Sequence, residues 1–179
     1  MHQNTLYLIF ATAFITLLAS GVGMVFIMKD VPGGTRTMPD AHFGFTPDAL
    51  RHVCAVTWGA AGRQAYVQAA NVDLFPFMQA YTVIFWCAAT VLTRQGQGFW
   101  KGVGYTLGTL PLVFDTLETR NLRDIVQRDC QVSNDWMEFT SLMNQIKWSC
   151  VLLFWVILVP PFWLASRRRH KEEGATKTE

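Results

Sequence analysis

At 179 residues the chain has the length of a single domain, yet 51% of it is hydrophobic and only 16% is charged. Soluble proteins carry roughly a quarter of their residues as charges. Thirteen Phe and seven Trp exclude a disordered tail, a collagen-like repeat and a disulfide-stapled scaffold. A formal net charge of +2 gives no reason to expect a nucleic-acid partner.

Four runs in chain order are long enough, or nearly so, to cross a hydrocarbon layer, which takes about 20 apolar residues at 1.5 Å each. The first extends from Gln3 to Met28 without a charge and ends at Lys29-Asp30 and the breaker Val31-Pro32-Gly33-Gly34. A cleaved signal peptide is the competing reading, since Leu18-Ala19-Ser20-Gly21 offers small residues. No Lys or Arg precedes the run, however, and it is longer than a signal core. Thr46-Pro47-Asp48 then reads as an N-cap, a first-turn proline and an early acid. Leu50, Val53, Cys54, Thr57, Trp58 and Ala61 follow at helical spacing. Residues 47–70 are therefore expected to form an amphipathic helix, packed on the remainder or lying in a membrane interface.

The second run is Leu74 to Thr93, with Pro76 in its first turn, where the missing N–H costs least. The third, Gly102 to Phe114, is too short to span and must continue through Asp115 and Glu118 to about Leu122. From Arg120 to Lys147 the chain is polar and reads as a partly helical loop. The fourth run, Trp148 to Ser166, carries Pro160-Pro161 near its end and stops at Arg167-Arg168-Arg169-His170-Lys171. Backbone polar groups cannot stay unpaired in lipid, and no alternating ten-residue segments suggest a barrel. The expected fold is all-α: an integral membrane four-helix bundle with spans at about 6–28, 74–93, 102–122 and 148–166. It carries an additional amphipathic helix between spans 1 and 2 and a basic disordered tail at 167–179.

Four crossings place both termini on one side. That side holds seven Lys or Arg against three Glu, leaving eight bases against ten acids on the other. The positive-inside bias then puts both ends in the cytosol or its organellar equivalent, a mitochondrial inner membrane included. Arg167, Arg168, Arg169 and Lys171 are candidates for lipid headgroup contact.

Metal and haem chemistry find no support. Cys54, Cys87, Cys130 and Cys150 never approach Cys-x-x-Cys, and no histidine stands at ligand spacing from one of them. His2, His42, His52 and His170 all fall outside the apolar runs. Cys87 and Cys150 read as buried small side chains; spacing leaves a Cys54–Cys130 disulfide open. Nucleophile elbows and phosphate loops are missing, so no catalytic residue and no cofactor is assigned.

Two constellations remain. Asp115 and Glu118 are three apart and share a helix face. An ionisable group inside a span costs from about 2.5 kcal/mol upward and normally faces the bundle interior or water. Two adjoining carboxylates favour sharing a proton, which suits a proton or cation site or general acid–base work. The alternative is an interfacial pair neutralised by Arg120, Arg123 or Arg63. The second constellation is Gly62-Arg63-Gln64-Ala65-Tyr66 with Asp73, Phe75 and Pro76. Arg63 and Tyr66 are expected to reach the third-span carboxylates in a structural Arg–carboxylate pairing. Gly104 and Gly108 form a Gly-x-x-x-Gly face that lets another helix approach closely.

These segments resemble a family of small, uncharacterised four-span membrane proteins. Its pattern has a Gly-Arg-x-x-Tyr stretch, an Asp-x-x-Phe-Pro entry to a span and a later Pro-x-x-x-Asp-x-x-Glu-Asn. Here the corresponding residues are Gly62-Arg63-x-x-Tyr66, Asp73-Leu74-Phe75-Pro76 with one residue fewer, and Pro111 through Asp115 to Glu118, with Thr119 in place of Asn. The resemblance covers about a third of the chain. It implies the four-span topology and a shared polar core of Asp115, Glu118, Arg63, Tyr66 and Asp73, and it names no activity.

Two functions are expected from the residues. One is a non-catalytic accessory subunit of a larger membrane assembly, of respiratory or ATP synthase type, held by membrane lipids and other membrane subunits. Its seven Trp supply contact area near helix ends. The other is a small lipid-modifying enzyme or ion- or proton-coupled transporter built on Asp115 and Glu118. A pocket around the acids discriminates between them.

Overall fold

A computed structural model describes the backbone over residues 3–92 and 98–175, and the side chains over 4–92 and 98–157. Every regular element among the described residues is helical. The first, α1 (Gln3–Met28), contains no charged residue. Leu6, Ala13 and Ser20 are buried at seven-residue intervals, ending at Met28. Tyr7, Leu8, Phe14, Leu18, Val22 and Phe26 are exposed. A seven-residue repeat on a 3.6-residue helix makes one narrow seam, and α1 lays that seam on later helices while its other faces stay open.

Gly33 and Gly34 turn the chain into two short 3₁₀ turns, Gly34–Thr37 and Pro39–Ala41. Helix α2 (Pro47–His52) starts as its sequence dictates: Thr46 Oγ1 accepts from the Ala49 N–H at 3.2 Å, and Pro47 opens the first turn. It widens into a π turn (Val53–Trp58), continues as α3 (Gly59–Val72), widens again over Asp73–Phe77 and becomes α4 (Met78–Leu92). The expected helix over 47–70 is present. Pro76 is not in the first turn of an unbroken span, though, because Phe75 before it is extended (φ −158°, ψ 123°). A proline disfavours the helical region for the residue preceding it, so the chain bends there.

Helix α5 (Gly98–Gln127) runs through Asp115 and Glu118 and on past Leu122. After a turn with left-handed Asp129 and Cys130, α6 (Asn134–Ala175) begins. The polar stretch expected as a loop over 120–147 therefore shrinks to residues 128–133. Its apparent polarity belongs to two helix ends, whose outward faces carry the charges apart from the buried Lys147. The α6 backbone stays helical to Ala175, where a disordered tail was expected from 167. The side chains of Arg167, Arg168, Arg169 and Lys171, expected at lipid headgroups, lie outside the described residues.

The main seams join α5 to α6 and α4, α1 to α4 and α3, and α3 to α5. Along α5 the buried residues Gly104, Gly108, Pro111, Asp115, Glu118, Leu122 and Ile125 alternate in steps of four and three, the pattern of a bundle seam. A Cβ on Gly108 would lie 3.0 Å from Cβ of Phe85, so only glycine admits the α4 backbone this closely. Met28, Leu50, Cys54, Trp58, Tyr66, Leu122, Ile125 and Met137 form one apolar core, and Phe85, Ala89 and Phe154 a smaller one. On both α5 and α6 the polar residues of the site fall between these two cores.

Candidate functional site

Asp115 and Glu118 sit at consecutive seam positions of α5, so helix geometry alone turns both inward; they are 5% and 0% exposed. Their cation comes from α6. There Met137, Thr140, Asn144 and Lys147 are buried in steps of three and four, which points Asn144 and Lys147 at the acids. Lys147 Nζ lies 3.0 Å from Asp115 Oδ1 and 2.6 Å from Glu118 Oε2. The other oxygens are also occupied: Asn144 Nδ2 donates to Glu118 Oε1 at 2.6 Å, and the Tyr81 hydroxyl of α4 donates to Asp115 Oδ2 at 2.7 Å. A buried ion cluster persists only when its remaining lone pairs are satisfied in this way.

The segment after α1 closes the cluster from above. Asp40 O accepts from Asn144 Nδ2 at 3.3 Å and from Lys147 Nζ at 3.4 Å. Asn144 Oδ1 in turn accepts from the Gly44 N–H at 2.7 Å, and Ser141 Oγ from the Phe45 N–H at 2.9 Å. Gly44 has φ 84°, a left-handed conformation that glycine adopts without cost, and this turns its N–H toward Asn144. Trp58 Nε1 donates to Thr37 Oγ1 at 2.8 Å and ties the same segment to the π turn.

Two further carboxyls stand beside the triad. Asp73, 5% exposed, accepts from Thr119 Oγ1 at 3.0 Å. This hydrogen bond links α5 to the entry to α4. Asp40 is buried, and its Oδ1 has no hydrogen-bond partner. Burial pushes the Asp40 carboxyl above its ordinary value of 3.8; Lys147 pulls it back and Asp115 pushes it further up.

A cavity of about 440 Å³ opens onto this ground. Asp40, Asp73, Asp115 and Lys147 lie at one end, and Leu17, Gly21, Met24 and Val25 of α1, Phe77, Tyr81 and Phe85 of α4, and Trp148 and Val151 of α6 make the wall. Both its size and its composition, a mostly apolar wall with a few convergent polar groups, are those of a ligand site.

Of the residues singled out from sequence, Asp115, Glu118 and Asp73 meet here. Tyr66 is fully buried, stacked on Trp58 with ring centroids 4.8 Å apart, and its hydroxyl has no partner. Arg63 does not reach the third-span acids. Its guanidinium lies 2.7 Å from Asp129 and donates to Cys54 O at 3.0 Å, because its face of α3 turns toward the α5–α6 turn. Lys147 is the neutralising cation, in place of the Arg63, Arg120 or Arg123 weighed from the sequence. Gly108 packs as the Gly-x-x-x-Gly reading expected, and Gly104 is buried on the same face. Cys54 and Cys130 form a disulfide, which clamps the π turn to the α5–α6 turn, while Cys87 and Cys150 are free and buried.

Lys147, Asn144, Asp40, Tyr81 and Thr119 were not identified from the sequence. Reading the three-and-four spacing backward from Phe154 through Val151 would have placed Lys147 and Asn144 on the α6 seam. Nothing local marks Asp40, which reaches the site through a chain reversal. Among the described residues no group of His, Cys, Asp and Glu is arranged to hold a metal ion. Compared with known protein families, characterised proteins and solved structures, the chain matches none.

Proposed function

We propose that this chain is a four-span integral membrane protein that handles an apolar ligand by its polar head, in the manner of a small transporter or lipid-modifying enzyme. The observation that carries the reading is the buried Lys147–Asp115–Glu118 triad facing an apolar-walled cavity of about 440 Å³. Charges buried at this depth are costly to maintain for packing alone.

Lipid as solvent is supported by two helical stretches, Asn4–Met28 and Pro47–Leu92, that are long and apolar enough to cross a membrane. The exposed faces of α1 are apolar along its length, far more than a water-facing helix presents. The hydroxyls on α1 bond within the helix, Thr12 to Leu8 O, Thr16 to Thr12 O and Ser20 to Thr16 O, which satisfies them without water. The proposed topology puts both termini on the positive, cytosolic side and the 29–73 and 123–147 segments opposite. The Cys54–Cys130 disulfide joins those two segments, and disulfides persist on the oxidising side of a membrane.

The accessory-subunit reading rests on the same open apolar flank of α1, which another chain could cover. Native mass spectrometry of the full chain in mild detergent separates the two. Gly21 lines the cavity, and a Cβ there makes only an ordinary 3.9 Å contact with Phe77, so Gly21→Leu fills the space without a backbone clash. A small amphiphile retained by the wild type and missing from Gly21→Leu supports the ligand reading. A constant set of co-purifying chains, with no small molecule in either form, refutes it.

A further inference from the structure

We infer that the cavity takes a protonated lipophilic amine, its N–H donors directed to Asp40 and Asp73 and its single apolar chain lying along α1, α4 and α6. This rests on the ligand reading above and names the ligand's chemistry. Three carboxyls and one ammonium line the polar end, and that ammonium is already shared between Asp115 and Glu118. Among the described residues no Lys or Arg forms an ion pair with Asp40 or Asp73. Asp40 and Asp73 therefore have no ion-pair partner of their own, and Asp40 Oδ1, buried and without a partner, lacks a donor.

Each alternative head meets an obstacle on the same ground. An anionic head would have Lys147 as its one attraction and would face Asp40, Asp73 and Asp115 at close range. A neutral hydroxyl would donate one hydrogen bond and leave the charge unanswered. A quaternary ammonium would answer the charge but bring no N–H to the orphaned oxygen. A protonated amine does both, and hydrogen bonds between charged partners are about twice as strong as neutral ones. The remaining wall, Leu17, Met24, Val25, Phe77, Phe85 and Val151, offers only dispersion and area burial, which suits a hydrocarbon chain. Across the cavity α1 and α6 face each other, while their packing seams are with other helices.

The test uses the full chain in phosphatidylcholine nanodiscs, titrated calorimetrically with decylamine, decanol, decyltrimethylammonium and decanoate against empty nanodiscs. Decylamine is expected to bind at least about tenfold tighter than the other three. Asp40→Asn is expected to bring decylamine to the level of decanol, and Gly21→Leu to remove saturable binding of all four. Should Asp40→Asn not fold, Asp73→Asn and the wild-type ranking still decide. Equal binding of decanol and decylamine, or tighter binding of decanoate, overturns the amine assignment and leaves the cavity as a ligand site. No saturable binding of any probe, with wild type and Gly21→Leu alike, overturns both.

Discussion

Removing the Lys147 ammonium is the most direct way to ask whether the buried triad is what organises α5 against α6. In Lys147→Met the side chain keeps its length and its contacts with the apolar wall but loses its charge. At 2.6 and 3.0 Å, and an effective dielectric constant near 20, each ion contact is a gross attraction of about 5–6 kcal/mol. Desolvation of the three groups offsets much of that. The relevant quantity is the carboxylates left behind: Lys147, Asp115 and Glu118 side chains are 8%, 7% and 0% exposed, so water cannot replace the ammonium. Breaking a buried pair by removing one partner costs about 3–5 kcal/mol. At about 2–4 °C per kcal/mol for a chain of this size, the midpoint of thermal unfolding in detergent should fall by roughly 6–20 °C. The triple variant Lys147→Met, Asp115→Asn, Glu118→Gln removes every charge of the cluster together and should recover most of the loss. A midpoint for Lys147→Met within about 2 °C of wild type, or a triple variant no better than the single one, would mean that the cluster is solvated and the argument for a buried triad wrong.

Three other outcomes follow from separate features. Gly108→Val puts side-chain atoms where Phe85 already sits 3.0 Å from a bare Cβ; the expected cost is about 1–3 kcal/mol, and crosslinking between cysteines placed on α4 and α5 should report the wider gap. Cys54→Ser with Cys130→Ser opens a link spanning 76 residues, for which chain entropy gives about 4 kcal/mol; the wild type should lose a similar amount on reduction and the double variant should be indifferent to reductant. Asp40→Asn tests the sign of a titration. The folded chain holds the Asp40 proton above the ordinary 3.8, so this group's contribution is fully present below about that pH. It is lost as pH rises through the elevated folded value, and thermal midpoints of Asp40→Asn against wild type should diverge in the variant's favour over that range.

The helices were legible because one signal, apolar run length, dominates wherever charge is absent. Gln3–Met28 and the stretch to Leu92 are such segments, and their limits come out within a few residues. The acids were legible as a pair, since three-residue spacing on a helix leaves little freedom. Their partner was not, because the fourth run was read only from its first uninterrupted apolar residue, Trp148. That cut the helix one position after Lys147 and assigned the lysine to a loop. A seam carrying Thr140, Asn144 and Lys147 looks polar in sequence and becomes a core face only when the acids opposite are known. Arg63 failed for the complementary reason. Guanidinium–carboxylate pairing is a sound expectation, but Asp129 becomes available only because residues 128–133 turn sharply beside α3.

Asn144 and Lys147 also do a second thing, and the two roles constrain one another. Asn144 holds one carboxylate of α5 and Lys147 holds two, and each also reaches the Asp40 carbonyl, while Gly44 and Phe45 hang from Asn144 and Ser141 by main-chain donors. The segment covering the polar end is thus fastened by the same side chains that neutralise the acids. The contacts to α5 are short, 2.6 and 3.0 Å, and those to Asp40 O are long, 3.3 and 3.4 Å, so the cover is the weaker half of the arrangement. A ligand cation arriving at Asp40 draws charge on the side where Lys147 now reaches upward, and the long contacts are the ones that can lengthen without exposing a carboxylate. Occupancy of the cavity and the fastening of residues 38–45 are therefore coupled through two side chains. Amide exchange at Gly44 and Phe45 should change on decylamine binding, while exchange in the α5 backbone around Glu118 should not.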